Sequence, residues 1–256
     1  MIGRRRTAPA APPTASPDER VQRRIDAAAR MAAPDAAVTA RVRAAPDGYV
    51  LTQSSSDLVR HAALLEPLPE AGEVRLAVTP GREPGTWHVD VGTRDRPGLL
   101  ARFSGALLHA GIDVVQAVIA TWDDGAALQA LVVRGVDAPD PIDLQSQLAW
   151  ALGQPLTAPP VSGATVRFDP APGPYTGCVV TADDRPGLLH AIAVAIAVAG
   201  ADIHAASVTT DGGRACDRFD LTDEHGRRLA PDVEATIAAH LGRGTRDSIQ
   251  TRRVRA

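Results

Sequence analysis

Lysine and asparagine are absent from the 256-residue chain, and all 27 of its basic residues are arginine. A gap that wide reflects biased genomic composition, so arginine here is no sign of a chemistry chosen over lysine. Cysteine is scarce: Cys178 and Cys216 form no CxxC pair, which excludes a disulfide framework and leaves two buried free thiols as the expectation. The seven histidines, His61, His88, His109, His190, His204, His225 and His240, have no metal-ligand spacing with cysteines or acids. No apolar run approaches the roughly 20 residues of a membrane span, and Arg4, Arg5 and Arg6 lead into Ala/Pro-rich sequence rather than a signal-peptide core. The net charge is -3, with arginines interleaved among acids, which argues against a nucleic-acid surface. These absences lead us to expect a cytoplasmic protein with no cofactor, no bound metal, and neither nucleic acid nor membrane as partner.

What the chain does contain, it contains twice. Asp95-Arg96-Pro97-Gly98-Leu99-Leu100 recurs 89 residues later as Asp184-Arg185-Pro186-Gly187-Leu188-Leu189, and the likeness continues through Gly111/Gly200, Asp113/Asp202 and Thr121/Thr210. Twelve of the 27 positions from Asp95 to Thr121 are identical to their partners, where residue frequencies of roughly 7% predict about two. This is an internal duplication, and it implies two small domains of one design.

Residues 1–46 are Ala/Pro/Arg-rich with few large apolar side chains, so most of this leader is expected to be disordered. Within it, Ser16-Pro17-Asp18-Glu19 has the form of a helix start, and Val21, Ile25, Ala28 and Ala32 form a thin apolar stripe in need of a partner. Residues 47–72 read as a linker containing a helix from about Asp57 to Leu65. The first domain, 73–170, reads as a strand at Trp87, Val89 and Val91, a helix after Pro97, strands over Ile112–Thr121 and Ala127–Val133, a helix from about Asp143, and a closing strand Thr165–Phe168. Glu73–Val78 reads as an extra strand belonging to the linker. Domain 171–256 repeats the order and ends in a strand Ser248–Val254. Each copy is thus βαββαβ, and the fold class is α+β: two tandem ferredoxin-like domains behind a disordered or helical leader.

In each motif the proline reads as a first-turn residue with an acid ahead of it, a common helix-start device. The same loop presents helix N-terminal amides, a ready anion site. Asp113 and Asp202 open the next strand, at the other end of the sheet, so each can approach a motif loop only if two domains or two chains pack side by side. Asp123-Asp124-Gly125 reads as a hairpin turn.

Asp-Arg-Pro-Gly-Leu-Leu, a helix ending Ala-Gly, and Ile/Ala-Asp-Val/Ile strongly resemble ACT domains, βαββαβ modules that bind amino acids at domain interfaces. The particular resemblance is to the tandem ACT pair ending the bifunctional uridylyltransferase/uridylyl-removing enzymes of PII nitrogen signalling, carried also by Thr165–Asp169, Asp202–Ala206 and Tyr49–Leu65. The chain has neither the Gly-Ser nor the His-Asp dipeptide of those enzymes' catalytic domains, so the resemblance implies a sensor without catalytic residues. It also implies a free amino acid, glutamine foremost, as effector, and a homodimer or a separate catalytic or signalling protein as partner. The ligand-binding set is Asp95, Arg96, Pro97, Gly98, Leu99 and Asp113, with Asp184, Arg185, Pro186, Gly187, Leu188 and Asp202. ACT domains often carry Asn where this chain has Asp95, Asp113, Asp184 and Asp202. A carboxylate can only accept hydrogen bonds, so these residues suit a ligand ammonium and leave its carboxylate to the helix-start amides. The alternatives are a sensor portion of a uridylyltransferase whose catalytic domains are absent or encoded separately, and a structural pair that only mediates oligomerisation.

Overall fold

The computed structural model describes residues 16–135, 137–157 and 163–242. The expected strand Ser248–Val254 lies outside the described residues, as does the leader before Ser16.

Four helices come first: α1 (Pro17–Ala32), α2 (Ala36–Arg43), α3 (Asp47–Thr52) and α4 (Ser55–Leu65). At the start of α1, the Glu19 amide donates to Ser16 Oγ at 3.2 Å and the Ser16 amide donates back to Glu19 Oε2 at 3.0 Å, a reciprocal capping box. The expectation of a mostly disordered leader is corrected from Ser16 onward. The alanine-rich stripe of α1 is too thin to hold a helix alone, yet Val21, Ile25, Ala28 and Ala32 are buried in a core completed by Val42, Tyr49, Leu58, Leu65, the sheet residues Ala120 and Leu128, and Trp122 of the turn between their strands.

The remainder contributes β1 (Val74–Pro80), β2 (Thr86–Arg94), α5 (Leu99–His109), β3 (Asp113–Thr121), β4 (Ala126–Arg134), α6 (Pro141–Ala151), β5 (Thr165–Phe168), β6 (Thr176–Asp183), α7 (Leu188–Val198), β7 (Ala201–Asp211), β8 (Arg214–Asp223) and α8 (Pro231–Leu241). Among the described residues, the eight strands form one sheet in the order β1-β2-β4-β3-β7-β8-β6-β5. Each half has the layering of a split ferredoxin-like unit, and every pairing is antiparallel. The fourth strand of each half comes from an unexpected place. β1, read as a linker strand, is the outer strand of the first half, while β5, read as the closing strand of the first copy, pairs with β6 at the edge of the second half. A short hairpin to the following strand puts each in place with little loop-closure entropy, whereas a closing strand must return across the sheet.

The halves meet at β3 and β7, where Gln116 faces Thr209, Val118 faces Ser207 and Ala120 faces Ala205. Val118 and Ser207 occupy the same position in the two copies, 89 residues apart, so a pseudo-twofold axis passes between them. α5 and α7 pack side by side over the seam, with α6 against α5 and β1, and α8 against α7 and β5. Phe103, Leu107, Ile192, Ile196 and Phe219 fill the core beneath them. Among the described residues, only the first half is covered on its other face. There β4 presents Ala126 and Leu128 to the N-terminal helices, whereas β8 presents Cys216, Arg218 and Asp220.

A buried polar chain fastens the helical layer. Tyr49 Oη donates to His61 Nδ1 at 2.7 Å, and the opposite ring nitrogen lies 3.1 Å from Asp90 Oδ1, whose other oxygen accepts from Arg60 Nε at 2.9 Å. Burial, followed by the Asp90 charge, pushes the Tyr49 hydroxyl well above its ordinary range, so it remains the donor. On a second side, Arg41 bridges Glu66 at 2.7 Å and Asp124 at 2.8 Å. Asp124 belongs to the β3–β4 hairpin turn expected at Asp123-Asp124-Gly125, where Gly125 takes φ +81°.

Candidate functional site

Both duplicated motifs end in a left-handed glycine rather than a proline-led helix. Gly98 (φ +74°) and Gly187 (φ +80°) are the N-caps of α5 and α7, so Pro97 and Pro186 lie in the preceding turn, not at the first helical position. No side chain caps either helix. The Leu99 and Leu188 amides turn back to the Arg96 and Arg185 carbonyl oxygens at 3.2 and 3.1 Å, which leaves the next two amides of each first turn for a ligand or solvent. The helices stop as expected, at Gly111 (φ +71°) and Gly200 (φ +81°).

The pseudo-twofold axis produces two clefts, each assembled from both copies. One is narrow, with a cavity volume of about 10 Å³, and is lined by Asp95, Gly98 and Leu99 of the first motif and by Asp202 and Ile203 of β7. Its mate, about 30 Å³, is lined by Asp184, Arg185, Gly187 and Leu188 of the second motif and by Asp113 and Val114 of β3. These are the cross-pairings that side-by-side packing allows. Arg96, Pro97 and Pro186 are exposed and line neither cleft.

Electrostatics record the same convergence. Burial, and next the charge of Asp202, push the Asp95 carboxyl up to about 6. Asp113 is raised by burial and then by Asp184, with Arg134 opposing. Like charges brought together in a partly desolvated cleft favour a cation between them.

Two residues not singled out in the sequence sit in these clefts: Gln129 in the first and Asp217 in the second, each 1% exposed. They are equivalent positions, facing Val91 on β2 and Val180 on β6 in matching register. Gln129 Oε1 and Nε2, Asp217 Oδ1 and the neighbouring Thr121 Oγ1 are buried without a hydrogen-bond partner among the described residues. Buried polar atoms of this kind ordinarily find partners. Burial pushes Asp217 up to about 7, the Thr209 amide holding it back and Asp184 adding to the rise. The sequence carries a signal for both: each is the polar break in the buried-face alternation of its strand, Ala127-Gln129-Leu131 and Ala215-Asp217-Phe219.

His190 lines the second cleft, but its ring nitrogens lie 2.8 Å from the Ala101 carbonyl oxygen and 2.9 Å from that of Thr157, so it is engaged structurally. His204 is paired with Thr222 at 2.8 Å. Among the described residues no group of three or more His, Cys, Asp or Glu is placed to hold a metal, and no helix is long and apolar enough to cross a membrane.

Two split units joined edge to edge, with acid-bearing clefts across the seam at the helix starts, form a tandem α+β module that resembles an ACT pair. The chain is homologous to a segment of the bifunctional uridylyltransferase/uridylyl-removing enzymes. It is 30% identical to that enzyme of Rhodospirillum rubrum over 205 residues, covering 71% of this chain and 22% of the relative. It is likewise 30% identical over 210 residues to that of Bradyrhizobium sp. (strain ORS 278), covering 72% of this chain and 22% of the relative. The chain therefore spans about a fifth of the length of the curated relatives it matches. Among solved structures, aspartate kinase from Synechocystis aligns over 62% of this chain and 26% of its own, at 19% identity and a TM-score of 0.38. No family model matches the chain.

Proposed function

We propose that the protein is an amino-acid-sensing regulatory module of nitrogen or amino-acid metabolism, working without catalysis of its own. The ligand ammonium sits between Asp95 and Asp202 in one cleft and between Asp184 and Asp113 in the other. Its carboxylate rests on the first-turn amides of α5 or α7, where aligned peptide dipoles favour a negative charge. Arg185, at the mouth of its cleft, assists there.

The observation that carries this reading is that each motif aspartate meets the strand-opening aspartate of the other copy, so a zwitterion placed there neutralises a repulsion that the empty protein bears. Glutamine is the effector we favour. Occupancy would join the halves more firmly across β3 and β7, and a second copy or a separate catalytic or signalling protein in the cytoplasm would sense the change. We take the half from β1 to α6 and the half from β5 to α8 as the two sensing domains, with the helical layer α1–α4 lying against the first. The match to 22% of much longer enzymes favours one further reading, in which the chain is the sensor portion serving uridylyltransferase domains carried elsewhere.

Isothermal titration and thermal shift against the twenty amino acids test the proposal. Saturable binding, lost in Asp95→Ala together with Asp184→Ala, is expected. Silence toward all twenty overturns it.

A further inference from the structure

The two clefts share a backbone plan and differ at the floor. Where the first has Gln129, the second has Asp217, and both lie on equivalent strand positions at 1% exposure. Each has polar atoms that no group among the described residues satisfies. An unpartnered buried polar group is costly, and here the cost falls at the same place in both copies, on the floor of a narrow cleft that must widen to admit a ligand. The atoms on offer are not the same. Gln129 presents a free donor and a free acceptor side by side, with the unpartnered Thr121 hydroxyl beside them. Asp217 presents a carboxyl in a cleft that already holds Asp113 and Asp184.

Resting on the sensing reading above, we propose that the clefts are receptors for different ligands, selected at the floor: Gln129 takes an amino acid with a carboxamide side chain, and Asp217 takes one with a cationic side chain. A ligand carboxamide meets Gln129 with complementary N–H and C=O groups, forming two bonds that neither a hydrocarbon nor a cation can form. In the second cleft the α-ammonium occupies the Asp184–Asp113 pair, and a second positive group is needed at Asp217. Arg185 and His190 also face that cleft. The His190 ring nitrogens face the Ala101 and Thr157 carbonyl oxygens and Arg185 is exposed, so neither is paired with the buried Asp217 carboxyl, whose Oδ1 sets the demand. A pair of sites that must both be filled would make the protein report two amino acids at once.

Titrating the full chain with glutamine, and then the glutamine-saturated protein with lysine, tests this without any variant. Each should bind at a stoichiometry of one, with neither displacing the other. Asp217→Asn, a change of nearly equal shape whose folding is checked by thermal melting, should weaken lysine at least tenfold and raise the glutamine stoichiometry toward two. Gln129→Glu should weaken glutamine at least tenfold and leave lysine unchanged. Competition of glutamine and lysine for one site, or lysine binding indifferent to Asp217→Asn, overturns the inference while leaving amino-acid sensing intact. Failure of all twenty amino acids to bind removes the sensing reading itself.

Discussion

Val118 and Ser207 are direct partners across the central strand pair, though they are 89 residues apart and occupy the same position in the two copies. That one pairing fixes the symmetry of the molecule. Once equivalent residues face each other, whatever the first motif meets in the second copy, the second motif must meet in the first. Asp95 with Asp202 and Asp184 with Asp113 follow as a matched set.

Relief of charge repulsion should make ligand binding and stability respond in opposite directions to a single change. Asp95→Asn removes one of two facing carboxylates whose repulsion, with burial, has raised Asp95 to about 6. We expect the ligand-free protein to gain about 1–3 kcal/mol at pH 8 and to lose affinity for a zwitterion. Urea denaturation and titration on the same preparation check the pair.

Stability should fall as the solution is made more basic between pH 5 and 7. Asp95 and Asp217 have folded values of about 6 and about 7, above their ordinary value, so the folded state binds more protons than the unfolded state across that window. By linkage the stability these groups contribute is complete below about pH 4, is lost through pH 6 to 7, and changes no further above. The carboxyls lowered by partners, Asp57, Glu73, Asp124 and Asp223, act the other way but below that window. The double variant Asp95→Asn/Asp217→Asn should flatten the slope in denaturation curves at pH 5, 6 and 7. The same ionisation makes zwitterion binding in the Gln129 cleft tighten as pH rises through 6, because the ammonium pairs with the charged form of Asp95.

Removing Asp90 should release the helical layer. Its carboxylate is 2% exposed and answers both His61 and Arg60. Breaking such a buried pair from one side costs about 3–5 kcal/mol. Asp90→Ala is expected to lower the urea midpoint by that measure. It should also shift the emission of Trp122, which packs edge-on to Tyr49 at 5.3 Å and donates to the Arg41 carbonyl.

Gly187→Ala should be costly for two separable reasons. At φ +80° an L-residue is strained by roughly 1–2 kcal/mol, and the new methyl would stand 2.8 Å from Leu108 Cδ2. Adding Leu108→Ala removes the second cause and not the first, so the double variant should recover only part of the loss in thermal denaturation.

Most of the elements were legible because their signals are local. The capping box at Ser16 and Glu19, the stops at Gly111 and Gly200, and the strand alternation each depend on neighbours within a turn or two. The helical layer was not legible from its own composition, since alanine-rich helices gain their stability from what they lie against. The signal sat elsewhere, in β4, whose run Ala126-Ala127-Leu128 is apolar on both faces and therefore demands cover on both. Gln129 and Asp217 were overlooked because a single polar residue in a strand is ordinary until burial and missing partners mark it.

Sequence alone was enough to specify two copies of a split α+β unit, a helix after each motif, and the four aspartates. It could not say that β3 would pair with β7, that β1 and β5 would take the outer edges, or that the aspartates would face one another. Local propensity and capping act between residues a few positions apart and are written in the order of the chain. The seam joins segments some ninety residues apart, and its register is chosen by burying α5 and α7 together over one continuous sheet, a choice that exists only after both halves have formed.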